Sequence, residues 1–118
     1  MATIKNTYTC SLNLTYDLLG GKWKMRILWH IIHDHNRFSL LLKHIPEITE
    51  KVLMSQLREM EGTGLLIRVV LSEKPRHVEY RLSKAYDQLA PLIEQLCAFS
   101  NTYATDHGIT IADQKYQS

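Results

Sequence analysis

The stretch from Arg37 to Leu82 constrains the fold of this chain more than any other, because it joins two hydrophobic periods through strong turn signals. Ser39-Leu40-Leu41-Leu42-Lys43-His44-Ile45 reads as a short helix, with Ser39 placed to cap its N-terminus. Pro46 ends that helix through the residue before it, and Pro46-Glu47-Ile48-Thr49 forms a turn. Thr49 then caps a longer helix from Glu50 to Gly62, in which Leu53, Leu57 and Met60 recur at i, i+4 and i+7. Gly62-Thr63-Gly64 closes it and feeds two strands. Leu65 to Ser72 and His77 to Leu82 are rich in β-branched residues and bracket a charged tip, Glu73-Lys74-Pro75-Arg76.

The flanks add helices. Ser11 to Leu19 carries Leu12, Tyr16 and Leu19 at helical spacing and is stopped by Gly20-Gly21. Lys22 to about His33 is apolar around most of its circumference, which predicts a buried central helix, and Asp34-His35-Asn36 ends it. Ser83 is expected to cap a last long helix reaching His107, with a kink or first-turn irregularity at Pro91. That helix shows one apolar seam of Leu89, Ile93, Leu96, Ser100 and Tyr103, and a second of Tyr86, Leu92 and Phe99. Two seams exceed what a domain this small can bury, so the second seam is expected to face another subunit. The fold class is therefore mainly α with a small β-hairpin: a winged helix-turn-helix with a long terminal dimerisation helix. Residues 1–9 are expected to be a flexible N-terminus, 10–107 one domain and 108–118 a flexible tail.

At 118 residues there is room for one modest core. No membrane span or secretory signal is read, which predicts a cytoplasmic protein. Two cysteines, Cys10 and Cys97, are too few for a disulfide framework. The net charge of +2 conceals a division: residues 20–84 hold twelve Lys/Arg against seven Asp/Glu, and the remaining segments two against five. The middle is thus the part suited to an anionic partner.

Stepping about 100° per residue from Leu53 puts Lys51, Ser55 and Arg58 together on the outward face of the fourth helix. Two cations able to bind phosphate or guanine then flank a small hydroxyl that permits close approach. Thr49 lies where a helix N-terminus favours a phosphate. Lys74, Arg76 and His77 at the hairpin tip suit backbone or minor-groove contact, and Arg37, Ser39 and Lys43 around the third helix complete the expected DNA-binding set. An ordinary solvated surface explains each of these residues singly; the helix-turn-helix and hairpin order favours double-stranded DNA.

Other chemistry fits poorly. Gly20-Gly21-Lys22 lacks the glycine five positions before Gly21 that a phosphate loop requires, since Tyr16 stands there. His33 and His35 have no cysteine or carboxylate cluster at ligand spacing, so neither a metal nor another cofactor is expected. No nucleophile-base pattern marks an enzyme. Tyr16, Trp23 and Trp29 suit either core packing or a ligand pocket.

Cys10, Leu18-Leu19-Gly20-Gly21-Lys22-Trp23, Ile27-Leu28-Trp29 and Arg37-Phe38 together resemble the HxlR-type transcription regulators, relatives of the MarR group. So do Ile45-Pro46-Glu47-Ile48-Thr49, Leu53 to Met60, Gly64-Leu65, Val78 to Ser83, Leu89-Ala90-Pro91-Leu92 and Leu96-Cys97. The resemblance spans roughly residues 10–105. It implies a homodimer that binds a pseudo-palindromic operator, with Glu50–Glu61 as recognition helix and the first and last helices as dimer interface; Leu12, Tyr16, Leu92, Leu96, Phe99 and Tyr103 are its candidate contacts. It also implies that a cysteine at the place of Cys10 can sense oxidants or electrophiles. A thiol beside a helix N-terminus gains thiolate character, which is the physical basis of that reading; packing as a small apolar residue is the competing one. Cys10-Ser11 stands where the family often has Cys-Pro, and the second sensing cysteine of some members is missing. A winged-helix module that binds protein rather than specific DNA is the alternative function.

Overall fold

The computed structural model describes residues 4–113. Its elements are α1 (Ser11–Leu19), α2 (Lys24–Ile32), α3 (Phe38–His44), α4 (Glu50–Gly62), β1 (Leu66–Glu73), β2 (Arg76–Leu82), a 3₁₀ turn (Lys84–Tyr86) and α5 (Leu89–Asp106). The chain divides after Tyr86 into two compact units, the second of which holds α5 and the segment following it. The expected flexible ends lie partly outside the described residues, at 1–3 and 114–118. Within the described part of the N-terminal segment, the Tyr8 hydroxyl donates to Asp17 on α1 at 2.6 Å.

α2 is the centre of the first unit. Ile27, Leu28, Trp29, His30 and Ile31 are all buried along it. Leu41 of α3, Ile45 and Ile48 of the turn, and Leu53, Leu57 and Met60 of α4 supply the rest of the core, with Leu65, Leu66 and Tyr80 from the hairpin. α2 begins at Lys24, two residues later than the sequence suggests, because Gly21 takes a left-handed backbone (φ +94°). Gly20 just before it accepts no side chain, since a Cβ there would collide with the Tyr16 carbonyl oxygen. Asp34, also left-handed, ends α2, and the His35 amide bonds the His30 carbonyl at 2.8 Å.

Two serine caps expected from sequence are absent. Arg37, extended at φ −115° and ψ 152°, occupies the N-cap of α3 and its carbonyl accepts the first helical bond from Leu41 at 2.9 Å. Ser39 therefore sits inside the helix. Ser83 is claimed by the hairpin base instead, its amide bonding the Leu65 carbonyl at 2.9 Å, and the 3₁₀ turn separates it from α5. α5 consequently starts at Leu89, which leaves Pro91 in its first turn, where a missing N–H costs nothing. The apolar seams of α5 also divide differently. Ile93 and Ala104 are buried, whereas Leu92, Leu96, Phe99 and Tyr103 form one exposed stripe at i, i+4, i+7 and i+11.

β1 and β2 pair antiparallel, with Leu66 opposite Leu82, Arg68 opposite Tyr80 and Val70 opposite Val78, and a bulge lies between Val70 and Ser72. The Tyr80 amide also bonds the Asn36 carbonyl at 2.8 Å, which ties the hairpin to the segment leading into α3.

A half-enclosed ion pair borders this apolar core. Lys24 Nζ lies 3.1 Å from Glu59 Oε1, with side chains only 7% and 11% exposed, and so joins the start of α2 to the inner flank of α4. Removing one member of such a pair strands the other charge. Glu59→Leu should lower unfolding free energy by about 3 kcal/mol in a urea titration, and adding Lys24→Met should return part of the loss. An unchanged midpoint in the single variant would mean that the pair does not hold α4.

Candidate nucleic-acid interface

α4 turns its charged face outward because its other face is buried. Leu53, Leu57 and Met60 are wholly inaccessible, and Lys51, Ser55 and Arg58 are exposed on the far side. The helix starts at Thr49, whose Oγ1 accepts the Val52 amide at 3.2 Å. Its hydroxyl is thus committed to the cap. Glu50 answers the positive end of the helix in the first turn.

Around α3, Arg37 is half-buried at the N-cap, and Ser39 and Lys43 are exposed. At the hairpin tip Lys74 is exposed, next to a cis peptide bond with Pro75. The neighbouring side chains are answered within the wing. Arg76 Nη1 lies 2.9 Å from Glu73 Oε2, and His77 Nε2 lies 3.1 Å from Glu79 Oε2. Arg81 bonds the other oxygen of Glu79 at 2.9 Å. Arg81 is the main reason that the Glu79 carboxyl is held below the usual carboxylate range. Exposed pairs such as Arg76–Glu73 contribute little and exchange partners readily.

Arg68 has no place in the sequence-derived set, and the structure brings it to the same face. Its cross-strand partner Tyr80 is buried, and Leu66, two residues before it, is buried too. Arg68 therefore lies on the side of the hairpin that turns toward α4. It lines a cleft of about 510 Å³ with Arg58, Glu61, Phe38, Met54 and Tyr80. Alternation along β1 alone could not have shown this; the signal is the register opposite Tyr80.

A second cleft, of about 570 Å³, lies between the Gly20–Lys24 loop and the flank of α4, with Tyr16, Trp23, Ser55 and Glu59 among its walls. Trp29, also considered for a pocket, is buried and stacks on His33 with ring centroids 4.0 Å apart. His35 stacks on His44 at 3.8 Å and approaches the buried His30 at 3.0 Å between Nδ1 atoms, so one ring donates and the other accepts. Among the described residues no group of three or more His, Cys, Asp or Glu side chains is arranged to hold a metal ion, and no helix is long and apolar enough to cross a membrane.

The expected dimer contacts are exposed in the single chain: Leu12 (73%) and Tyr16 on α1, and Leu92, Leu96, Phe99 (68%) and Tyr103 on α5. Cys10 is exposed at the N-cap of α1. Cys97 is half-buried, and burial, then the nearby Glu94, push its thiol up from the ordinary cysteine range.

A capped outward helix beside a two-stranded wing, with the helix-turn before it, defines a winged helix-turn-helix protein. The HxlR-like helix-turn-helix family profile matches residues 18–108, and the chain belongs to that family. It is 41% identical over 95 residues to the HTH-type transcriptional regulator YtcD of Bacillus subtilis, covering 80% of this chain and 75% of that one. The crystal structure of ytcD superposes with a TM-score of 0.73 at 36% identity, over 82% of this chain and 99% of the other. The redox regulator HypR in its oxidised form gives 0.70 at 33% identity, over 82% and 96%. A MarR-family transcriptional regulator from Enterococcus faecalis gives 0.65 at 30%, over 88% and 98%. These relatives are regulators of transcription, not enzymes.

The two cysteines should separate by reactivity. Iodoacetamide added in limiting amount to the native protein should alkylate Cys10 well before Cys97, as peptide mass spectrometry would read. Equal labelling would mean that Cys97 is as accessible as Cys10.

Proposed function

We infer that the protein is a sequence-specific regulator that binds a pseudo-palindromic DNA operator as a homodimer. The observation that carries this reading is the exposed α4 face, where Lys51, Ser55 and Arg58 stand opposite a fully buried Leu53–Leu57–Met60 stripe. α4 enters the major groove, Lys51 and Ser55 meet base edges or flanking phosphates, and Lys74 of the wing tip reaches the neighbouring backbone. Arg76 and His77 join by exchanging Glu73 and Glu79 for phosphate. Arg37, Ser39, Lys43 and Thr49 border the same contact through the short α3 and the cap of α4.

The homodimer reading is supported by apolar surface left uncovered. α5 carries the stripe of Leu92, Leu96, Phe99 and Tyr103, and α1 carries Leu12 and Tyr16. A twofold pair would set the two recognition helices about 34 Å apart, one turn of DNA. A response to oxidants through Cys10 is supported by its exposure at the start of α1 and by the likeness to a redox regulator. Oxidation to a sulfenic acid or an intersubunit disulfide there would alter the dimer and hence the spacing of the two wings.

Sedimentation at micromolar concentration should return a dimer, and a mobility shift with genomic fragments should isolate a palindromic site. Lys51→Ala should cost roughly 1–3 kcal/mol on that site and little on random DNA if Lys51 reads a base. If it holds phosphate only, the loss should be uniform and the salt slope should fall by about 0.9. An oxidant should change operator affinity in the wild type and in Cys97→Ser, but not in Cys10→Ser. A monomer that prefers no sequence would contradict the reading.

A further inference from the structure

We propose that the cleft between α4 and the hairpin is the seat of the sugar-phosphate strand dividing the two DNA grooves, with Arg58 and Arg68 clamping it from opposite walls. This rests on the reading that the α4 face binds DNA. A protein that sends a helix into one groove and a hairpin toward the next must accommodate the backbone between them. In this chain the space that separates those two elements is an open cleft of about 510 Å³.

Its lining fits a phosphate strand. Phe38, Met54, Val78 and Tyr80 give an apolar floor on which a deoxyribose can rest. Arg58 comes from the outward face of α4, and Arg68 from the hairpin face whose partner Tyr80 is buried. Neither guanidinium has an ion-pair partner among the described residues. The wing residues Arg76, His77 and Arg81 are all held by Glu73 or Glu79. Among the described residues, Arg58 and Arg68 thus bring unpaired positive charge to the cleft, beside that of Lys51 on α4 and Lys74 at the tip. Guanidinium forks match phosphate oxygens in two-bond geometry, which suits two arginines facing one strand.

Glu61 is the one carboxylate lining the cleft. It repels a phosphate, and this makes the proposal testable in both directions. Removing Arg68 should weaken binding, and neutralising Glu61 should tighten it. Loss of folding cannot produce the second effect.

The test is fluorescence anisotropy of the full chain with a short random-sequence duplex across a salt series, which needs no operator. Arg68→Gln and Arg58→Gln should each reduce the magnitude of the log–log salt slope by about 0.9, the signature of one lost phosphate contact. Glu61→Gln should raise affinity. Arg81→Gln removes the same charge from the opposite face of the hairpin and should leave the slope unchanged. A wild-type slope in Arg68→Gln, or an equal fall in Arg68→Gln and Arg81→Gln, overturns the clamp while leaving DNA binding in place. Wild-type protein that binds no duplex overturns the DNA reading itself, and the clamp with it.

Discussion

The burial of one stripe of α4 governs everything this surface can do. Leu53, Leu57 and Met60 are wholly inaccessible, and burying each such side chain contributes roughly 1.5–3 kcal/mol. A rotation of α4 by a single residue step would expose part of that stripe and turn a charged side chain inward. The Lys24–Glu59 pair, at 3.1 Å, adds a directional tie where apolar packing alone is tolerant of small rotations. Lys51, Ser55 and Arg58 face outward as a consequence of what the rest of the helix buries.

Much of this was legible in the sequence because the signals are local. The α4 stripe, the Thr49 cap and the hairpin ends each depend on residues within a few positions of one another, and α4 spans Glu50–Gly62 as its pattern suggests. The errors fall where several residues compete for one role. Ser39 and Ser83 are good capping types, but a cap belongs to whichever residue's extended backbone meets the first helical amide. At α3 that is Arg37, and Ser83 is held by Leu65 across the hairpin base. The seams of α5 were drawn from periodicity, which gives the spacing of a stripe and leaves open which stripe is covered.

Two important features were illegible for a different reason. Lys24 and Glu59 lie 35 positions apart, with no local pattern that pairs them. Arg68 sits among Ile67 and Val69 and looks like an ordinary alternating strand residue until its register opposite Tyr80 is known. The Arg76–Glu73 pair, in contrast, is three residues apart across the tip and could have been anticipated. Its effect is to make the wing less positive than a count of its lysines and arginines suggests. Available charge shifts accordingly toward α4 and its cleft.

In the proposed complex the α4 face and the wing, and not the apolar helices at the chain ends, meet DNA. Amide chemical-shift mapping of isotope-labelled protein titrated with a short duplex tests it residue by residue. Perturbations should concentrate at Thr49–Arg58, around Arg68 and at Lys74–His77, while Leu92–Tyr103 of α5 stays unmoved. Shifts confined to α1 and α5, with the α4 face silent, would contradict it.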